Sequence, residues 1–132
     1  MFKDSKAFSG FAVKDIAAAK SFYGGTLGLD ARDGQMGDLE LRLAGGQTIF
    51  VYPKDDHVPA TYTILNFPVE DIDRAVDQLT SAGVTMERYD GPDFDQDAKG
   101  IMRGNGNGPD IAWFQDPSGN VLSVLTDGPS EG

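Results

Sequence analysis

An internal repeat constrains the fold of this chain more than any other sequence feature. The pattern Val-x-Asp-Ile-x-x-Ala occurs twice, beginning at Val13 and again at Val69. Each copy follows an apolar segment typical of a strand, and its Asp is a residue type that caps the first turn of a helix. Repetition of a whole supersecondary unit predicts that the chain is built from two equivalent modules.

The first module is predicted over residues 6–53, followed by a polar linker at 54–60. Leu39–Leu43 alternates strictly between Leu and a charged residue, which is the period of a half-buried strand. Gly46 then turns the chain into a return strand. The predicted elements are a strand, a helix capped by Asp15 and two further strands, at 8–13, 16–24, 39–43 and 47–52.

The second module is predicted over residues 61–126, and 128–132 is expected to be a flexible tail of a single domain spanning 1–127. Its last two strands flank the turn sequence DPSGN, in which Gly119 corresponds to Gly46 of the first module. The fold class is therefore α+β, with two tandem βαβββ modules. The predicted elements are strands at 61–67 and 84–89, a helix from 72 to 81, a long loop at 90–108 and a hairpin at 111–125.

Composition excludes several classes of protein. The chain has 132 residues and no Cys, so it forms neither disulfides nor thiolate metal sites. Its net charge of −10 argues against nucleic acid or an anionic membrane surface as a partner, because both require a basic face. No apolar run approaches the roughly 20 residues of a membrane span. We expect a cytoplasmic protein.

The repeat, the segment FYGGTLGL and the hairpin sequence DPSGN together resemble the vicinal oxygen chelate superfamily. That superfamily includes glyoxalase I, extradiol dioxygenases, and fosfomycin- and bleomycin-resistance proteins. The resemblance covers nearly the whole chain. It implies that the sheets of the two modules curve around a cleft and that the protein is a homodimer, but it does not choose among activities.

The resemblance also implies where a metal would bind, and the residues there are unsuitable. Metal enzymes of the superfamily place His, Gln or Glu ligands at the start of each first strand and in each return strand. Counted from the helix caps and the turn glycines, those positions fall on Phe8, Ile64, Phe50 and Ser123. Phenyl, alkyl and neutral hydroxyl groups do not hold a divalent catalytic metal. The sequence therefore predicts no metal site and no cofactor.

Alternation of side chains along the predicted strands indicates which residues face the cleft. The Leu residues of 39–43 are expected under the helix, with Glu40 and Arg42 on the opposite face. The other predicted ligand-binding residues on strands are Phe8, Phe50, Tyr52, Tyr62, Asn66, Trp113 and Ser123, with Ile64 in the same wall. Two other interpretations fit the pattern: the aromatic residues form ordinary core, and Glu40 and Arg42 form an exposed ion pair.

The long loop at 90–108 supplies two more predicted ligand-binding residues. Its Gly-rich part precedes a strand rather than a helix, so it lacks the helix N-terminus that binds phosphate groups. A flexible flap is the better interpretation. Such a flap would carry Met102 and Arg103 over the cleft.

These observations predict a metal-independent protein that binds a small, partly planar organic molecule. Trp113, Phe50 and Tyr52 would supply stacking area, and Glu40 and Arg42 would orient polar groups. The alternative is an enzyme of the same superfamily, either metal-free with Glu40 as general base or using metal ligands that the sequence does not reveal. A third possibility is a structural or partner-binding module whose cleft is filled by its own side chains.

Overall fold

The computed structural model describes residues 1–91 and 94–126, and the predicted tail at 128–132 lies outside them. The chain divides into two compact units, Met1–Pro59 and Ala60–Gly132. In its described residues, each unit contains one sheet and one α-helix, as expected for an α+β protein built from two modules. No helix in the described ranges is long and apolar enough to cross a membrane.

The first unit carries a four-stranded sheet of order β1-β4-β3-β2. Strands β1 and β4 are parallel and the other pairs are antiparallel. Its elements are β1 (Gly10–Val13), α1 (Ile16–Lys20), a π-helix (Ser21–Thr26), β2 (Asp30–Asp33), β3 (Leu39–Arg42) and β4 (Thr48–Pro53). Strand β2 was not predicted from the sequence, because three of its four residues are charged.

The helical segment of the first unit begins where the sequence predicts and continues differently. The Asp15 carboxylate accepts hydrogen bonds from the amides of Ala17 and Ala18, at 3.0 and 3.1 Å, so the predicted N-cap is confirmed. The α-helix ends at Lys20, and the chain continues as the π-helix rather than as α-helix to residue 24. This extra turn buries Tyr23 completely, with its ring 5.7 Å from that of Phe11.

The core of the first unit lies on the helix side of its sheet. Leu39 and Leu41 on β3 and Val51 on β4 are fully buried, whereas the residues between them are half-buried or exposed. The two-residue period read from the sequence is therefore confirmed for β3 and β4.

The second unit repeats the arrangement with one strand fewer. Its sheet has the order β5-β7-β6, which corresponds to β1-β4-β3 of the first unit. In the first unit Glu40 lies opposite Phe50, and in the second Trp113 lies opposite Ser123, as the repeat predicts. Its elements are β5 (Thr63–Pro68), α2 (Ile72–Ser81), β6 (Ile111–Gln115) and β7 (Val121–Leu125).

The prediction of a strand at 84–89 is wrong. The side chain of Gln96 forms hydrogen bonds with the backbone of this segment in place of a neighbouring strand. The Gln96 amide accepts a hydrogen bond from the Tyr89 amide and donates to the carbonyls of Glu87 and Gly100, at 2.8 to 3.0 Å. The Glu87 amide in turn donates to the Trp113 carbonyl. These bonds satisfy the backbone of an irregular segment without forming a strand.

The turn between β6 and β7 is held by Asp116, as its DPSGN sequence suggests. One carboxylate oxygen accepts from the amides of Ser118 and Asn120, both at 2.9 Å. The other oxygen accepts from the Asn120 side chain at 2.9 Å. Asp116 and Asn120 are both buried, so the turn fixes the register of the hairpin from within.

Candidate functional site

One face of the first sheet points away from α1 and carries aromatic and charged side chains. We call it the first open face, defined by Asp30, Arg32, Glu40, Arg42, Thr48, Phe50 and Tyr52. The strand register arranges it in rows. Arg32, Glu40, Phe50 and Gly10 form one row; Asp30, Arg42 and Thr48 form the next.

The aromatic part of this face is a stacked pair. The rings of Phe50 and Tyr52 lie 5.6 Å apart with an interplanar angle of 22°. Phe50 has room for this position because its row neighbour is Gly10, where a Cβ would lie 2.9 Å from the Phe50 carbonyl oxygen and 3.6 Å from the ring. Tyr52 is exposed, so the pair presents a flat apolar surface to solvent.

The charged part of the face contains two arginines in different situations. Arg32 donates to both oxygens of Asp30, at 3.0 and 3.1 Å. This hydrogen bond, with help from the charge of Arg42, lowers the pKa of Asp30. The predicted pair of Glu40 and Arg42 does not form: among the described residues, neither side chain has an ion-pair partner within 4 Å. Asp30 and Arg32 were not predicted as residues of this face, because β2 was not predicted from the sequence.

Phe8 lies at the edge of this face, just before β1. The Phe50 amide donates to the Ser9 carbonyl at 3.0 Å, so parallel pairing continues one residue beyond the strand. Phe8 is 74% exposed. Together with Lys6, Thr48 and neighbouring residues it lines a concavity of about 370 Å³.

The corresponding face of the second sheet is built around Trp113. The Trp113 indole donates to the Thr63 hydroxyl at 3.2 Å, and its ring packs edge-on against Tyr89 and Phe94, at 5.4 and 6.1 Å. Burial, and to a smaller degree the Glu87 carboxylate, raises the pKa of Tyr89. The sequence did not reveal Tyr89 and Phe94 as partners of Trp113, because both lie in the irregular segment.

Ser123 and Asn66 lie in the same row as Trp113 and bond to each other. The Ser123 hydroxyl, which has no exposed surface, donates to the Asn66 amide oxygen at 2.5 Å. A β-bulge between Thr63 and Leu65 breaks the period of two. Alternation therefore does not extend back from Asn66 to Ile64, and Thr63 takes the place beside Trp113.

The remaining predicted ligand-binding residues lie in different surroundings. Tyr62 precedes β5 and is 70% exposed. Met102 forms an antiparallel bridge with Ile111 at the edge of β6. Arg103 donates two hydrogen bonds to Asp73 on α2, at 2.9 and 3.2 Å, and one to Asp97 at 3.0 Å. The segment that was expected to be a flexible flap is therefore bonded to β6 through Met102 and to α2 through Arg103. The ligand-binding role of Arg103 stays a prediction.

The residues at the four positions that were predicted from the resemblance as metal-ligand positions do not have the chemistry of metal ligands. Phe50 is stacked on Tyr52, and the Ser123 hydroxyl is already bonded to Asn66. Ile64 lies at the β-bulge, and an alkyl side chain offers no donor atom to a metal. Among residues 1–91 and 94–126, no three His, Cys, Asp or Glu side chains are grouped as a metal site would require.

Structural comparison finds the same fold in several proteins. A glyoxalase family protein from Enterococcus faecalis is 21% identical, with a TM-score of 0.65 over 95% of this chain and 99% of that one. The fosfomycin resistance protein FosX from Listeria monocytogenes is 15% identical, with a TM-score of 0.69 over 93% of each chain. A mutant of FosX is known in complex with Mn(II) and 1S,2S-dihydroxypropylphosphonic acid.

An integron cassette protein from V. cholerae is 25% identical, with a TM-score of 0.60 over 96% of this chain and 98% of that one. A search of curated proteins gave no significant match. The family model of the Glyoxalase/Bleomycin resistance protein/Dioxygenase superfamily matches residues 8–124, from the exposed Phe8 to the buried end of β7. With the repeated module and the matching fold, this shows that the chain belongs to the glyoxalase/bleomycin resistance/dioxygenase superfamily.

Proposed function

We propose that this chain is a metal-independent small-molecule-binding protein of the glyoxalase/bleomycin-resistance type. The observation that carries the proposal is the stacked pair of Phe50 and Tyr52 on the first open face. A flat apolar surface bordered by the charged groups of Glu40 and Arg42 suits a partly planar organic molecule with polar substituents. Trp113 and Asn66 are proposed ligand contacts on the second sheet.

The metal part of the proposal is supported by the donor chemistry and is tested separately. We expect elemental analysis of the purified protein to find no stoichiometric transition metal. We expect Trp113 fluorescence to stay unchanged when Mn(II) is added, because the side chain opposite Trp113 is Ser123, a poor ligand whose hydroxyl is already bonded. A stoichiometric metal, or a saturable fluorescence change, would overturn metal independence.

The ligand part is tested with planar aromatic fragments and ligand-observed NMR. We expect Phe50→Leu to weaken binding, because leucine keeps the apolar character but removes the flat ring. Phe2→Leu is the matched control: Phe2 is an exposed aromatic residue near the N-terminus, outside the open face. If planar fragments do not bind, or if both variants behave alike, the proposed ligand surface is wrong.

A catalytic function is the second candidate, and Glu40 is the observation that favours it. Glu40 is half-buried and lies opposite Phe50 in the pairing of β3 with β4. Its carboxylate has no hydrogen-bond or ion-pair partner among the described residues. Such a carboxylate is placed to act as a general base. If Glu40→Gln abolishes a turnover while ligand affinity is kept, the enzyme hypothesis replaces simple binding.

We also propose that the protein is a homodimer. Apolar side chains are strongly exposed outside the first open face, including Val58 at 84% and Tyr62 at 70%. Exposed apolar groups of this kind are commonly covered in an assembly. The cytoplasmic location expected from the sequence stays a prediction.

A further inference from the structure

We propose that the ligand of the first open face is a planar organic carboxylate. Its ring system would stack on Phe50 and Tyr52, and its carboxylate would bind at Arg42 and in the concavity beside Thr48. This inference rests on the proposed function and adds the charge of the ligand to it.

The first argument is that Arg42 makes no direct ion pair. The acidic residue opposite it across β2 and β3 is Asp30, but both oxygens of Asp30 are bonded to Arg32. Arg42 is exposed and makes no hydrogen bond or ion pair with a described residue. Its guanidinium group presents a fork of hydrogen-bond donors that suits a ligand carboxylate.

The second argument is the concavity next to Arg42. Thr48 lies opposite Arg42 across β3 and β4, and Thr48 also lines the concavity together with Lys6 and Ser9. Lys6 likewise has no ion-pair partner among the described residues. Lys6 and the hydroxyl-bearing residues Ser9 and Thr48 therefore line a space of about 370 Å³, within the range of small-molecule sites, and Arg42 lies next to Thr48 on the neighbouring strand.

The third argument is the spacing between the polar and the aromatic parts. Thr48, Phe50 and Tyr52 alternate along β4 and share one face, so consecutive members are about 7 Å apart. A fused two-ring acid has a similar length. It can place its carboxylate near Arg42 and Thr48 while its rings cover Phe50.

A cationic ligand is less well matched, because the charge of Glu40 is partly offset. Glu40 lies directly opposite Arg32, and its charge contributes to raising the pKa of that arginine. Arg32 forms hydrogen bonds with Asp30 and its charge also acts on Glu40, whereas Arg42 acts on Asp30 through its charge alone. Arg42 is therefore a cation of this face that makes no direct ion pair with a described residue.

The test uses isothermal titration calorimetry with two probes of equal shape, 2-naphthoate and neutral 2-naphthamide. We expect 2-naphthoate to bind about tenfold more tightly, the equivalent of one charge-assisted contact. Arg42→Gln should remove this difference and leave the affinity for 2-naphthamide unchanged. Arg74→Gln is the matched control, because it removes one exposed positive charge from α2 in the other unit and should change neither affinity.

Each other outcome is informative. Equal binding of the two probes overturns the carboxylate inference and leaves the planar-ligand function standing. Equal losses in Arg42→Gln and Arg74→Gln show a long-range charge effect and overturn the role of Arg42. If neither probe binds the wild-type protein, both the inference and the proposed ligand surface are overturned. Circular dichroism of each variant checks that the fold is kept.

Discussion

Gly10 shows how a single residue shapes the aromatic surface. A Cβ at this position would meet the Phe50 carbonyl oxygen at 2.9 Å, and backbone moves less easily than the end of a side chain. We predict that Gly10→Ala lowers the free energy of unfolding by about 1–3 kcal/mol, the usual cost of overpacking. It should also displace the Phe50 ring and weaken binding of 2-naphthoate. Chemical denaturation and calorimetry measure the two effects.

Gly45→Ala is the control for Gly10→Ala. Gly45 lies in the turn between β3 and β4, and a Cβ there would meet nothing within 4 Å. We expect this variant to be as stable as the wild type or slightly more stable, because alanine reduces the freedom of the unfolded chain. Equal stability of Gly10→Ala and wild type would mean that β1 and β4 move apart at little cost.

At the scale of elements, strict alternation was predictable and irregular pairing was not. Leu39–Arg42 shows its buried face directly in the order of its residues. Strand β2 does not, because Asp30 and Arg32 point to one face and Asp33 pairs with Lys20 on the other. Its strand conformation depends on pairing with β3. Composition of the segment alone therefore suggests a polar loop.

The second unit shows the same limit from the opposite side. Residues 84–89 are apolar enough to suggest a strand, but the side chain of Gln96, seven residues after Tyr89, forms hydrogen bonds with their backbone. The bulge after Thr63 likewise depends on the partner strand β7. The repeat predicted the rows of the candidate site correctly where both modules are regular. The prediction failed where an inserted residue shifts the register, or where a side chain outside the segment pairs with its backbone.

Arg103 joins α2 to the irregular segment, and this junction should depend on pH. The hydrogen bond from Arg103, followed by the charges of Arg103 and Lys99, lowers the pKa of Asp73. An Asp whose pKa is lower in the folded state stabilises the fold above its unfolded pKa of about 3.9, and that contribution is lost as pH falls through the folded pKa. We predict that Arg103→Gln lowers the thermal midpoint by a few degrees at pH 7, and that the difference shrinks as pH falls below about 4.

Hydrogen exchange locates that effect in the molecule. The Met102 amide bonds to the Ile111 carbonyl at 2.8 Å, and Arg103→Gln should make it exchange faster because the neighbouring ion pairs are lost. Lys54→Gln, which breaks the exposed pair with Asp56, is the control and should leave Met102 unaffected. A difference in thermal midpoint that does not change with pH would show that Arg103 acts through packing of its aliphatic stem.

At the scale of the whole molecule, net charge opposes the proposed self-association. Each copy carries a charge of −10, so two copies repel each other at low ionic strength, and salt screens that repulsion over about 10 Å at 0.1 M. If exposed apolar side chains such as Val58 and Tyr62 drive dimer formation, association should tighten as NaCl rises from about 0.05 M to about 0.5 M. Sedimentation velocity over a concentration series measures this dependence.

Val58→Asp should weaken the dimer at every salt concentration by placing a charge in an apolar contact, whereas Asp55→Asn, on the same exposed segment, should not. A monomer under all conditions would reject the dimer, and association that weakens with salt would mean that ion pairs between the copies hold it together.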